Sequence, residues 1–218
     1  TEAAAFIDKL SNYFQFKPSQ KILDLACGRG RHAIYLNQKG LDVLGVDLSA
    51  ENIGVASKSA NERLQFIQRD MRHINMPNQF DVVLNLFTSF GYFDDPADNQ
   101  KVICEIAESL KPDGIFIIDF LNPHWVQRSL ITEEVKLVQG IEFHIFRRIE
   151  KGFILKDIKF NAAGIDYAFQ EKVKSISHIE FEAYFEKAKL NIIDLYGDYE
   201  LGPYHEDESH RMIFVVKK

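Results

Sequence analysis

The chain has 218 residues, nearly half of them hydrophobic, and a formal net charge of −6. That length and composition suffice to bury a full core as one domain, 1–218, with at most a subsidiary element, and they exclude a chain dominated by disorder. The acidic balance argues against a surface built to track phosphates, and no apolar run approaches the ~20 residues that cross a bilayer. Two cysteines, Cys27 and Cys104, are too few and too scattered for a disulfide framework or a zinc site, so a reducing, cytoplasmic setting is expected. The chain opens at Thr1, and a short stretch before it is expected.

In chain order, Phe6, Ile7, Leu10, Tyr13 and Phe14 fall at helical spacing and predict a helix over 4–14 that covers a sheet or the mouth of a site. Apolar runs then predict strands over 22–26, 43–47, 64–69, 80–86 and 115–120, separated by helical stretches. That alternation implies a parallel sheet with helices on both faces. Ser49 caps the second helix. Asp95 with Pro96 starts the helix that carries Val102, Ile103 and Ile106, and the sequence from Lys111 to Gly114 supplies a turn. After Asn122 the texture changes: Gly140, Gly152 and Gly164 are evenly spaced and separate β-rich runs, which predicts an antiparallel sheet over 131–175 inserted between core strands five and six. Eight Lys and Arg oppose seven Asp and Glu in that segment, so it carries no basic stripe for nucleic acid. Ser177 and Glu180 form a capping box for the next helix, and runs at 192–195 and 212–216 close the chain as an antiparallel hairpin. The fold expected is α/β and doubly wound: a mostly parallel seven-stranded sheet with an antiparallel last strand and a small inserted antiparallel sheet.

The chemistry concentrates in KILDLACGRGRHA, residues 21–33, where a buried strand runs into Gly28 and Gly30 and then a helix. The two glycines allow a sharp bend and close approach to a ligand. Asp47, closing the next strand in LDVLGVDLS, follows at about the interval at which an acid accepts both hydroxyls of a ribose. Such a ribose belongs to NAD and to S-adenosylmethionine alike. Asp24, inside the strand-to-loop transition, suits the cationic amino group of a methionine moiety and would repel a pyrophosphate, which favours S-adenosylmethionine. DLACGRGRH and VDLS resemble the first two motifs of the class I S-adenosylmethionine-dependent methyltransferases. RLQFIQRDM, FDVVLNLFTSFGYF and LKPDGIFIIDFLN are similar to the later segments of that family, in the same order. Asp113 stands where that family more often has a second glycine.

The resemblance implies a cofactor site of Asp24, Ala26, Gly28, Gly30, Asp47, Leu48, Asp70, Met71 and Asn85, with Asp70 near the adenine amine and Met71 and Leu48 against the ring. Arg31 is placed either on the methionine carboxylate or in solvent. His32 has no assignment, and Cys27 is a small residue without a base to activate it. The acceptor is expected beyond the fourth strand, in a cleft lined by Phe90, Tyr92, Trp125 and Tyr204, with Tyr92, His124 or His205 assisting deprotonation of an ammonium. Arg211 anchors either the last loop or an anionic substrate. His205, Glu206, Asp207, Glu208 and His210 form a polar cluster, but no metal is expected there. The function implied is methyl transfer to a small molecule, beneath a lid made by the insertion, the first helix and the loop around His205. The alternatives are a methyltransferase acting on tRNA or protein, and a silent cofactor-binding module. Those four rings in one cleft would support the small molecule; rings in separate cores would support a macromolecule.

Overall fold

A computed structural model describes residues 2–218. Its core follows an alternating order: α1 (Glu2–Tyr13), β1 (Lys21–Leu25), α2 (Arg31–Gln38), β2 (Asp42–Asp47), α3 (Ala50–Ala56), β3 (Leu64–Gln68), β4 (Phe80–Asn85), α4 (Pro96–Ser109), β5 (Leu110–Leu121) and α5 (Pro123–Ser129). β6 (Glu133–Val138), β7 (Ile141–Glu150), β8 (Phe153–Ala162) and β9 (Ile165–Lys174) then form a separate four-stranded antiparallel sheet, before α6 (His178–Lys187), β10 (Asn191–Tyr196) and β11 (Arg211–Lys217) return to the core. The seven-stranded sheet has the order β10-β11-β5-β4-β1-β2-β3, with β11 antiparallel to both its neighbours.

The parallel strands are nearly continuous apolar runs because helices cover both faces. On one face Phe6, Ile7 and Leu10 of α1, with Ala33 and Leu36 of α2, pack on Ile22, Val82, Leu84, Ile117 and Ile213. On the other, Val102, Ile103 and Ile106 of α4 and Phe181 and Phe185 of α6 pack on Leu23, Val83, Phe116, Ile118 and Phe214. The caps form as the sequence predicts. Ser49 accepts the Asn52 N–H, Asp95 accepts the Ala97 N–H, and Ser177 and Glu180 make a reciprocal capping box. The stretch from Lys111 to Gly114 is absorbed into an irregular start of β5, where the register against β4 shifts, instead of standing apart as a turn.

The evenly spaced glycines mark turns. Gln139-Gly140, Lys151-Gly152 and Ala163-Gly164 each carry positive φ at both residues, the backbone that joins twisted strands through two-residue loops. The small sheet is tied to the core where the Lys174 N–H donates to the Gly91 carbonyl (2.7 Å), while Val173 packs against the α4–α6 core and Lys172 pairs with Asp94. It therefore springs from the carboxyl edge of the main sheet, beside the loop that follows β4.

Candidate functional site

At the carboxyl end of β1 the chain passes through Ala26 and Gly28 with φ of 61° and 57°, and Gly30, at 80°, starts α2. A Cβ at Gly30 would lie 2.7 Å from the Phe66 ring, whereas one at Gly28 would meet nothing within 4 Å. Gly30 is thus required by the fold, and Gly28 leaves open space above the turn. Asp47 sits across that space. One of its oxygens accepts the Gly28 N–H and the other the Ser49 N–H, both at 2.9 Å. The Asn52 amide donates to the same oxygen as Ser49, at 3.4 Å. A carboxylate offers about four acceptor positions, so one remains for a ligand hydroxyl, and a second opens if the long Asn52 bond yields. Asp24 is buried and accepts the Ala33 N–H at 3.1 Å, bracing the first turn of α2. Burial pushes its carboxyl up to about 7; the Ala33 N–H opposes the shift and the Asp47 carboxylate adds to it. A cation placed beside Asp24 would restore its charge. Burial, with Asp24 and Asp47 nearby, raises the Cys27 thiol, so that side chain is inert packing.

Asp47 borders a cleft of about 290 Å³ whose lining also includes Leu25, Ala26, Leu48, Asp70, Met71, Ser89, Tyr92 and Phe93. Leu48, largely exposed, and Met71 both belong to the lining, two apolar side chains suited to the faces of an aromatic base. Asp70 lines the cleft but is shared. It caps the short turn Met71–His73 and pairs with the Arg72 guanidinium at 2.7 Å, which holds its carboxyl below the usual range. Arg72 in turn lies 4.6 Å over the Phe93 ring. The open turn at Gly28, the remaining acceptor capacity of Asp47 and the apolar rim together fit S-adenosylmethionine, while the buried Asp24 lies behind the cleft lining, under the turn. Among the described residues no group of three or more His, Cys, Asp or Glu side chains is clustered to hold a metal ion.

The opposite wall is the segment after β4. Phe87 and Thr88 both adopt φ of 58°, the one consecutive pair of non-glycine residues in the left-handed region among the described residues. Each costs roughly 1–2 kcal/mol, and a β-branched threonine is an unusual occupant. Asp119, fully buried near the end of β5, accepts the Phe87 N–H (2.8 Å), the Tyr199 hydroxyl (3.1 Å) and the Arg211 guanidinium (2.7 Å). Burial pushes its carboxyl up, and Arg211 pulls it back. Beyond the turn, the Tyr92 hydroxyl donates to the Thr88 carbonyl at 3.1 Å. Partial burial, with Glu171 of β9 and Asp47 nearby, raises its phenol, so it stays protonated at neutral pH.

Several expected site residues lie elsewhere. Phe90 is completely buried and packs on Phe181 in the α4–α6 core, so it lines no cleft. Trp125 stacks 4.3 Å from His210 and borders a second hollow with Ile131 and Arg147, and Tyr204 packs near His178. Of the four rings expected together only Tyr92 lines the cleft: the backbone after Ser89 turns Phe90 inward, Tyr204 packs against the same core as Phe90, and Trp125 borders the second hollow. His124 faces Asp207 at 3.2 Å and His205 is a loop residue whose N–H donates to Ser209; neither lines the cofactor cleft. Asp207 also binds Arg128, and Glu206 faces His178, so the polar loop pins α5 and α6. The Arg211 guanidinium is committed to Asp119 of β5 and Thr88 of the turn after β4, so it holds that turn and not a substrate, and it meets the last loop through the Tyr199 ring, 5.5 Å away. Asn85 is buried and donates to the Leu25 and Ser89 carbonyls, which makes it a brace behind the cleft and not a contact within it. Arg31 lies 5.5 Å over the Phe87 ring, outside the cleft lining, and His32 stacks on the same ring, its imidazole lowered to about 4 by burial and by Arg31. Asp119 and Arg72 were missed in the sequence. A lone acid in the apolar run IFIIDFL was the available signal for Asp119; the partnership of Arg72 with Phe93 left none.

Residues 22–114 match a protein family described as a methyltransferase domain. The chain is 34% identical over 213 residues to a glycine/sarcosine N-methyltransferase from Aphanothece halophytica, a match covering 92% of this chain and 77% of that protein. It is 38% identical to the putative methyltransferase YqeM of Bacillus subtilis, but over 102 residues only: 45% of this chain and 41% of that one, so the chain spans less than half the length of that relative. An S-adenosylmethionine-dependent methyltransferase from Clostridium acetobutylicum shares the fold, with a TM-score of 0.84, 22% identity, and 99% of this chain and 90% of that one covered. The glycine turn, the ribose acid, the sheet order and these likenesses converge: the chain belongs to the class I S-adenosylmethionine-dependent methyltransferases.

Proposed function

We propose that this methyltransferase acts on a small amine, which enters between Tyr92 and the underside of the inserted sheet. The observation that carries the reading is the Tyr92 hydroxyl: its proton is given to the Thr88 carbonyl, which leaves oxygen lone pairs at the cleft to accept an acceptor N–H. Bound in the cleft, S-adenosylmethionine supplies a methyl already activated by its positive sulfur. Asp47 would hold the ribose, Leu48 and Met71 the adenine, and Asp24 the amino group. The chain's task is alignment and exclusion of water, an effect that can contribute roughly 7–11 kcal/mol. An ammonium must first lose its proton; with His124 and His205 outside the cleft lining, solvent is the natural acceptor of that proton. The similarity to a glycine/sarcosine N-methyltransferase supports an amine. The attachment of β9 at Gly91 supports a sheet that roofs the site, and the two free cysteines suit a reducing compartment.

The test is a panel of small amines, amino acids, carboxylic acids and phenols, with release of S-adenosylhomocysteine as the readout and Tyr92→Phe beside the wild type. Turnover on an amine, reduced in Tyr92→Phe, is expected. Turnover on acids or phenols alone would move the assignment to an oxygen acceptor. A second reading, a protein acceptor, is favoured by the absence of Phe90, Trp125 and Tyr204 from the cleft lining and by the exposed Val135, Leu137, Ile165 and Phe169 of the inserted sheet. It requires turnover on a polypeptide and none on free amines.

A further inference from the structure

A left-handed turn built from Phe87 and Thr88 holds its shape only if its surroundings over-determine it. Here they do, and every clamp leads to one pair of residues. The Phe87 N–H donates to the Asp119 carboxylate and the Thr88 N–H to the Asp119 main-chain carbonyl (3.0 Å). The Thr88 Oγ1 accepts from Arg211 at 2.9 Å, and Arg211 returns to Asp119 through both Nε and its terminal nitrogen. Asp119 and Arg211 sit on adjacent antiparallel strands, with Ile213 opposite Asp119, so the sheet register fixes their approach. The turn they grip aims the Thr88 carbonyl at the Tyr92 hydroxyl. Ser89, Tyr92 and Phe93, the next residues along, are the wall of the cofactor cleft.

We infer that Asp119 and Arg211 are positioning residues for methyl transfer, which hold the Phe87–Thr88 turn and through it set Tyr92 against the acceptor. This rests on the role proposed above for Tyr92. Neither residue lines the cleft. Their effect belongs to the rate of transfer and not to cofactor binding, because the contacts expected for the ribose and the base come from β2 and β3, which the network does not touch.

Asp119→Asn keeps an oxygen for Arg211 but sets an amide donor against the Phe87 N–H and the Tyr199 hydroxyl, which risks the fold, so Thr88→Val, which deletes only the hydroxyl, accompanies it. Hydrogen exchange is read across residues 86–93, S-adenosylhomocysteine affinity by calorimetry, and kcat on the amine found in the panel, each variant alone and combined with Tyr92→Phe. Both variants should speed exchange in 86–93 while leaving α4 and α6 protected. Thr88→Val should lower kcat about ten- to hundredfold with cofactor affinity within about threefold, and lower it no further when Tyr92 is already Phe. Unchanged exchange or unchanged kcat in folded variants overturns the inference, as does a loss that multiplies in full with that of Tyr92→Phe. A blank amine panel overturns only the acceptor reading, since the exchange measurement needs no acceptor.

Discussion

Asp47 is asked to do two jobs at once, orienting the glycine turn through Gly28 and Ser49 and keeping acceptor capacity for a ribose. Asp47→Ala removes both, and loss of a charge-assisted pair is worth about 1.5–3 kcal/mol, so S-adenosylhomocysteine should bind at least about tenfold more weakly by calorimetry. Affinity equal to wild type would discard the ribose assignment. Asp24 gives a pH signature with a definite sign. Its folded carboxyl, near 7, lies above the ordinary 3.8, so its contribution to stability is full below about pH 4 and is lost as pH climbs through 7. A cationic ligand reverses that preference. Binding below pH 7 should release a proton, and affinity should rise with pH up to about 7; Asp24→Asn should flatten both. Calorimetry in two buffers of different ionisation enthalpy reads the proton directly, and identical heats would remove Asp24 from the site.

Elements divide the same glycine motif between folding and binding. Gly30, as the cap of α2, is closed in by Phe66, while Gly28 faces open space. Gly30→Ala should cost about 1–3 kcal/mol in stability through overpacking and strain. Gly28→Ala meets no protein atom and bears mainly the left-handed penalty of roughly 1–2 kcal/mol, but its methyl intrudes where the ligand approaches, so it should weaken cofactor affinity more than Gly30→Ala does. Thermal melts and binding titrations on the two variants separate these effects; equal losses of affinity would collapse the distinction. At α6 the capping box is expected to be purely structural. Ser177→Ala should lower stability by about 1 kcal/mol, a shift of roughly 2–4 °C in Tm, without changing cofactor affinity.

Over the whole molecule, net charge and the insertion decide which partners are compatible. With a charge of −6 and a near-neutral inserted sheet, the protein has no net excess of cations with which to neutralise phosphates. Turnover on a small amine should therefore change little between about 50 and 200 mM salt, and added tRNA should not inhibit it; a phosphate-tracking enzyme would lose about 10³-fold or more in affinity over that range. The insertion joins the core beside Gly91 and Val173, next to the Tyr92 wall, so the small sheet and the cofactor cleft share one edge of the main sheet. That adjacency is what makes a roof over the acceptor physically reasonable.

The sequence by itself determined the parts that depend on local pattern. Alternating apolar runs set the parallel sheet, because strands covered on both faces must be apolar throughout. Gly28, Gly30 and Asp47 were legible because a sharp bend and a carboxylate leave few alternatives for residue type. The glycines at 140, 152 and 164 and the caps at Ser49, Asp95 and Ser177 were legible for the same reason. What only the tertiary structure decided is which side chains after β4 wall the cleft. Phe90 and Tyr92 are two residues apart and similar in character, yet one is in the core and the other on the cleft, and periodicity cannot assign faces in a segment that is neither helix nor strand. His124, His205 and Arg211 are chemically versatile side chains whose roles depend on partners distant in sequence: Asp207, Ser209 and Asp119. Asp119 itself reads as an anomaly in an apolar strand until the register of β11 brings Arg211 to it, because a buried charge acquires meaning only from the partner that the fold supplies.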